Sequence, residues 1–133
     1  MAFWNAPLDD PDHRGHALAA GRAMVEALPS INAAIADRLP PGATVKIGVG
    51  INSGPCVVGN MGSSKRFDYS ILGDTVNAAS RLEGQCKDLG VPILIGKSAI
   101  QGIARDDIVR LTRLILRGKT EAMEVYTMDD LAV

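Results

Sequence analysis

The 133-residue chain, 47% apolar and 22% charged, has the composition of one globular domain with room for a real core. Fourteen basic residues against fifteen acidic ones leave a net charge of −1, which gives no electrostatic footprint for nucleic acid. No apolar run approaches the roughly eighteen residues of a membrane span, and the start of the chain lacks the basic and long apolar regions of a signal peptide.

Met1 to Trp4 reads as the tail of a buried strand with no lead-in, so the reading expects something upstream to be missing. Asn5 to Pro11 is a loop in which Asp10 is the expected N-cap and Pro11 the first helical residue. A long helix to about Leu39 follows. Its stripe Ala20, Met24, Leu28, Ile31, Ile35, Leu39 runs through Pro29, which predicts one helix kinked at the proline. Pro40-Pro41-Gly42 ends it. Val45–Ile51 reads as a strand, Asn52–Pro55 as a turn and Cys56–Gly59 as a returning strand, so residues 45–60 are expected to form a hairpin. Gly62 to Arg66 is a polar loop. Phe67–Leu72 is a strand, Gly73 a break, and a helix begins with Asp74 as its expected N-cap. Gly90 is the expected residue just past that helix. A strand over 91–95, a short helix over 97–104 and strands over 108–116 and 124–128 complete the chain, the last two joined by Arg117-Gly118-Lys119-Thr120. Helices interleaved with a mostly antiparallel sheet predict an α+β sandwich of ferredoxin-like type, a single domain over residues 1–133.

Some apparent motifs fail on their context. Gly48-Val49-Gly50-Ile51-Asn52-Ser53-Gly54 resembles a dinucleotide loop, but its third glycine comes late and a proline and a strand follow where a helix must start. Those glycines are expected to let a hairpin pack closely or a partner's backbone approach. Gly96-Lys97-Ser98 lacks the flexible loop of a phosphate site. Cys56 and Cys86 read as reduced core thiols of a cytoplasmic domain, and His13 and His16 have no companions at zinc-ligand spacing.

The stretch from Arg66 to Glu83 organises the rest. Val76, Ala79, Leu82, Cys86 and Leu89 recur every three or four residues and form an apolar stripe. Asn77 and Arg81, four apart, share a flank of the helix. Periodicity alone favours a solvated charge beside Glu83, although Arg is also the side chain best shaped for phosphate.

Together with Met1–Pro7, Ile47–Gly54, Gly59–Ser63 and Leu116–Thr120, the run Tyr69–Glu83 resembles, in order and spacing over nearly the whole chain, the catalytic domain of class III nucleotidyl cyclases. The resemblance implies an α+β fold of that type lacking its leading strand and helices. It also implies an adenylate cyclase chemistry, in which the 3′-hydroxyl of ATP attacks its own α-phosphate and releases pyrophosphate. Asn77 would orient the ribose, and Arg81 would stabilise charge on the α-phosphate. Arg117, or less well Lys119, would hold the terminal phosphates. Ser70 stands where such enzymes read the purine. Its hydroxyl is closest to the threonine of a bacterial adenylyl subgroup, which favours ATP over GTP.

The family's two metal-binding aspartates and its purine-reading lysine correspond to positions before Met1, and Asp9, Asp10 and Asp12 do not replace them. The complete enzyme would use Mg2+ or Mn2+, with no metal site in this chain. The resemblance therefore implies half of a dimer-interface site, an isolated chain without activity, and a homodimer or domain-swapped oligomer. A non-catalytic module of the same fold that binds a nucleotide or a partner remains open, as do a guanylate cyclase and an α+β interaction domain with no nucleotide site.

Overall fold

The computed structural model describes residues 1–131; Ala132 and Val133, the end of the expected domain, lie outside them. The elements are α1 (His13–Glu26), α2 (Leu28–Ile35), β1 (Val49–Ile51), β2 (Val57–Ser63), β3 (Arg66–Leu72), α3 (Asp74–Leu89), β4 (Ile93–Gly96), β5 (Ile108–Leu114) and β6 (Met123–Met128). Short 3-10 turns cover Ala36–Arg38, Lys97–Ile100 and Asp129–Leu131.

Four strands form a mixed sheet in the order β1-β4-β6-β5. β1 runs parallel to β4, and β6 runs antiparallel to both of its neighbours. Because successive strand side chains point to opposite faces, the sheet carries two cores. On one face Ile51, Ile93, Ile95 and Met128 pack with Leu18 of α1. On the other, Leu94 and Val125 pack with Ala78, Leu82 and Cys86 of α3. Burial on both faces explains why β4 is a continuous apolar run with no alternation. The α+β sandwich is thus built with one helix on each side of the sheet.

The expected hairpin over 45–60 does not form. β1 and β2 lie in different sheets, and β2 pairs instead with β3 through the register Val57↔Leu72 to Ser63↔Arg66. The hairpin turn is therefore Ser64-Lys65, inside what reads in sequence as a polar loop. Residues 45–48 lie outside any strand, and so do Met1 to Trp4; of these four, Phe3 and Trp4 are half-buried and Met1 and Ala2 exposed.

The first helix also differs. It divides at Ala27, two residues before Pro29, although Ala27 keeps right-handed helical angles and its N–H still reaches the Ala23 carbonyl at 3.0 Å. Pro29 sits in the first turn of α2, where its missing N–H costs no internal bond. The buried face is Leu18, Gly21 and Val25, about 100° round from the expected Ala20/Met24/Ile31 stripe. A Cβ at Gly21 would lie 2.8 Å from Cδ1 of Ile51, while Met24 and Ile31 of the expected stripe are exposed. The N-cap is Asp12, not Asp10. Asp10 instead accepts the Asp12 N–H at 3.1 Å and binds His16 Nδ1 at 2.6 Å.

An ionic clasp ties α1 to the far edge of the sheet. Arg22 donates to Asp107 at 2.8 Å and to Asp130 at 2.9 Å, and Arg105 closes on Asp107 from the other side.

Candidate functional site

α3 begins where β3 meets Gly73, whose φ of +140° is a backbone state that favours glycine. Gly73 is the N-cap, and its carbonyl accepts the N–H groups of Val76 and Asn77, each at 3.1 Å. Asp74, the expected cap, is instead the first helical residue. Its Oδ2 accepts from Lys119 Nζ at 2.9 Å. That hydrogen bond and the charge of Lys119, with a further contribution from Arg81, hold the Asp74 carboxyl below its ordinary value. The helix ends as expected at Gly90, with φ +67° and the Val91 N–H returning to the Cys86 carbonyl. The observed apolar stripe is Ala78, Leu82 and Cys86, with Leu89 packed beside it. Val76 and Ala79, expected within it, lie at its margin.

Three of the five candidate residues converge on one side of this helix. Leu116 is buried in the core against α3, which anchors the turn that follows. The Lys119 N–H closes that turn on the Leu116 carbonyl at 2.9 Å, and Gly118 takes φ +83° within it. The Arg81 guanidinium lies against Gly118: a Cβ there would be 3.5 Å from Nη1. Arg81 and Arg117 line one cavity of about 280 Å3 together with Gly84, Gln85 and Ile115. Arg81, Arg117 and Lys119 are thus gathered at one place, with Asp74 among them. Asn77 is exposed on the same helix, between Asp74 and Arg81 in sequence. Ser70 stands apart, on β3 opposite Gly59, and lines neither cavity. Chemically the gathered end offers guanidinium and ammonium donors to an anion with several oxygens.

A larger cavity, about 870 Å3, opens on the other flank of α3 between residues 1–6, α1 and β1. Val76, Ala79, Ser80 and Glu83 face it from the helix, while Val58 and Ile71, partners across the β2–β3 ladder, face it from the hairpin. Cys56 lies in this wall rather than in the core; Cys86 is in the core, and burial raises its thiol pKa. Sequence reasoning missed this cavity, and also the Asp74–Lys119 pair, because the two partners are far apart in the chain.

Among the described residues no group of three or more His, Cys, Asp or Glu side chains is arranged to hold a metal ion. Asp10 is bound to His16 and Asp107 to two arginines, so these carboxylates are committed elsewhere. The described residues do not fit a divalent-metal centre. No helix among the described residues is long and apolar enough to cross a membrane.

A mixed sheet between two helices, with Arg81, Arg117 and Lys119 along one side of α3, defines an α+β domain. Residues 2–129 match the adenylate and guanylate cyclase catalytic domain, and the chain belongs to that family. It is 37% identical over 130 residues to Adenylate cyclase 1 of Rhizobium meliloti (strain 1021), covering 95% of this chain and 19% of that protein. To the adenylate cyclase of Anabaena cylindrica it is 38% identical over 87 residues, covering 62% of this chain and 17% of that protein. The chain therefore spans under a fifth of the length of these curated relatives. Among solved structures it is similar to the guanylyl cyclase Cya2, with a TM-score of 0.73 and 25% identity over 92% of this chain and 61% of that one. The adenylyl cyclase CyaB from P. aeruginosa matches with a TM-score of 0.70 and 27% identity, over 92% and 63%. The fold is of the cyclase type.

Proposed function

We propose that the chain is one domain, the C-terminal part of the catalytic domain of an adenylate cyclase that forms 3′,5′-cyclic AMP and pyrophosphate from ATP in the cytoplasm. The single observation that supports this most is the convergence of Arg81, Arg117 and Lys119 beside the first turns of α3. In the reaction the ribose 3′-hydroxyl gives its proton to water and its oxygen bonds to the α-phosphorus, as the bond from that phosphorus to the oxygen shared with the β-phosphate breaks and pyrophosphate leaves. Arg81 neutralises charge that grows on the α-phosphate during this exchange, where a fixed cation contributes most. Asn77 orients the ribose, Arg117 and Lys119 hold the departing phosphates, and the Ser70 hydroxyl reads adenine. The similarity to relatives named adenylate cyclase supports the choice of ATP.

The residues lie on an open surface of one copy, which supports a site completed across a dimer interface. The chain alone is read as inactive and prone to pair or exchange elements with a second copy. A second reading, a non-catalytic module that binds nucleotide or a partner, is favoured by one observation: the side chains of Arg81, Arg117 and Lys119 lie near one another in this chain, whereas Asp10 is taken up by His16.

The test is binding of a non-hydrolysable ATP analogue to the 133-residue chain, with and without Arg81→Ala. Weaker binding by the variant, with ATP analogue preferred over GTP analogue, is the expected result; binding that ignores Arg81 sinks the proposal. Cyclic AMP made by the chain with Mg2+ or Mn2+ would remove the claim of inactivity, and a clean monomer by light scattering at high concentration would remove the claim of association.

A further inference from the structure

Of the charges gathered at the cationic end, one is negative. Asp74 projects from the first turn of α3 with its side chain 83% exposed, and its Oδ2 sits 2.9 Å from Lys119 Nζ. The Lys119 side chain is 39% exposed, and its backbone is fixed by the turn that closes on the Leu116 carbonyl. Leu116 is locked into the core against Ala78 and Leu82. The ammonium can therefore swing while its Cα cannot, and it has two possible acceptors: the Asp74 carboxylate, or an anion held by Arg81 and Arg117.

We infer that Asp74 is a positioning residue that holds Lys119 while the cationic end is empty and competes with phosphate oxygens for it when a polyphosphate arrives. The inference rests on the proposed function, since it takes that end as the place where pyrophosphate or a triphosphate tail lies. Binding then exchanges one ion pair for another. The carboxylate left behind also stands close to the bound anion and repels it. Both effects weaken retention of pyrophosphate, the leaving group of the proposed reaction. An enzyme that must release such a product gains nothing by holding it tightly.

The probe is inorganic pyrophosphate, titrated calorimetrically into the 133-residue chain at low and at moderate salt. Asp74→Asn is expected to bind about two- to fivefold more tightly than the unaltered chain, the range an exposed charge pair supports. The gain should shrink as salt rises. Asp74→Glu, which restores the carboxylate, should return binding to the original level. In the Lys119→Met background, Asp74→Asn should recover only a fraction of the gain, because no ammonium remains to be released. Binding by Asp74→Asn that is equal or weaker overturns the inference. So does a full gain in the absence of Lys119. An Arg81→Ala chain separates the two levels of argument. If Arg81→Ala weakens pyrophosphate binding while Asp74→Asn does not change it, only the role of Asp74 fails. If pyrophosphate binds none of these chains, or binds without regard to Arg81, the proposed function fails with it.

Discussion

Gly50 is the position where one added methyl group should do the most damage. It lies at the centre of β1, and its α3-facing side has no side chain. A Cβ built there would be 2.1 Å from the Ala79 carbonyl oxygen and 2.5 Å from the Glu83 nitrogen. Both are backbone atoms inside a helix, so neither can rotate away as a side-chain tip would. Relief requires α3 to lift off β1 or to turn, and either motion strips contacts from Leu82 and Cys86, which are at most 3% exposed. Overpacking of this kind costs about 3 kcal/mol, the upper end of its usual range. For a chain of this length each kcal/mol shifts Tm by about 4 °C, so Gly50→Ala should melt about 12 °C lower. The assay is thermal unfolding followed by far-UV circular dichroism, beside Gly84→Ala as the opposite case. Gly84 lies within α3 with nothing within 4 Å of a built Cβ, and alanine there should raise Tm by about 3 °C through helix propensity. A Gly50→Ala chain that melts within about 2 °C of the unaltered one would refute the claim that β1 and α3 meet backbone to backbone.

Two further outcomes follow from buried or paired polar groups. Thr127 is 4% exposed, and its Oγ1 donates to the Ile93 carbonyl at 2.8 Å, so Thr127→Val keeps the shape, removes the bond and should cost about 1 to 2 kcal/mol in urea unfolding. Asp107 is held below its ordinary carboxyl value, first by the hydrogen bond from Arg105 and then by the charges of Arg105 and Arg22. A depressed folded pKa contributes stability above the unfolded value of 3.8 and loses it as pH falls through the folded value. Unfolding followed from pH 6 downward should therefore steepen below about pH 4, and Asp107→Asn should flatten that limb; a limb of unchanged slope would show that the clasp contributes nothing.

The parts of the fold legible in the sequence were those settled within a few residues of chain. The junction from Phe67 through Gly73 into α3 reads correctly because a two-residue alternation gives way to a helical period across one glycine. Gly90 is recognisable as the end of α3 for the same local reason. Strand pairing was not legible. The β1–β4 contact joins Val49 to Ile93 across an intervening hairpin and helix, and no local signal distinguishes it from pairing with the nearer Cys56–Gly59. The glycines of residues 48–54 suggest hairpin packing or a partner's backbone, but no hairpin forms there, and Gly48 and Gly50 instead lie against the backbone of the chain's own α3. The face of α1 is hard to read because one of its buried residues is Gly21, which adds nothing to a hydrophobic stripe. At the candidate site, Asn77 and Arg81 could be placed on one flank by counting. That Arg81 meets the turn at Gly118 depends on the burial of Leu116, which no spacing displays. Asp74 looked like a cap, and its true partner lies 45 residues away.

The clasp between Arg22 and Asp130 joins residues 108 apart. Drawing a loop of that length together costs about 4 kcal/mol in chain entropy beyond a constant, more than an exposed ion pair returns. The clasp cannot act as an early organiser of the chain. It can close only after the β1-β4-β6-β5 sheet has already brought the two regions side by side, and its formation should be among the last events of folding. Release of Arg22 would accordingly speed unfolding while leaving the rate of folding almost untouched.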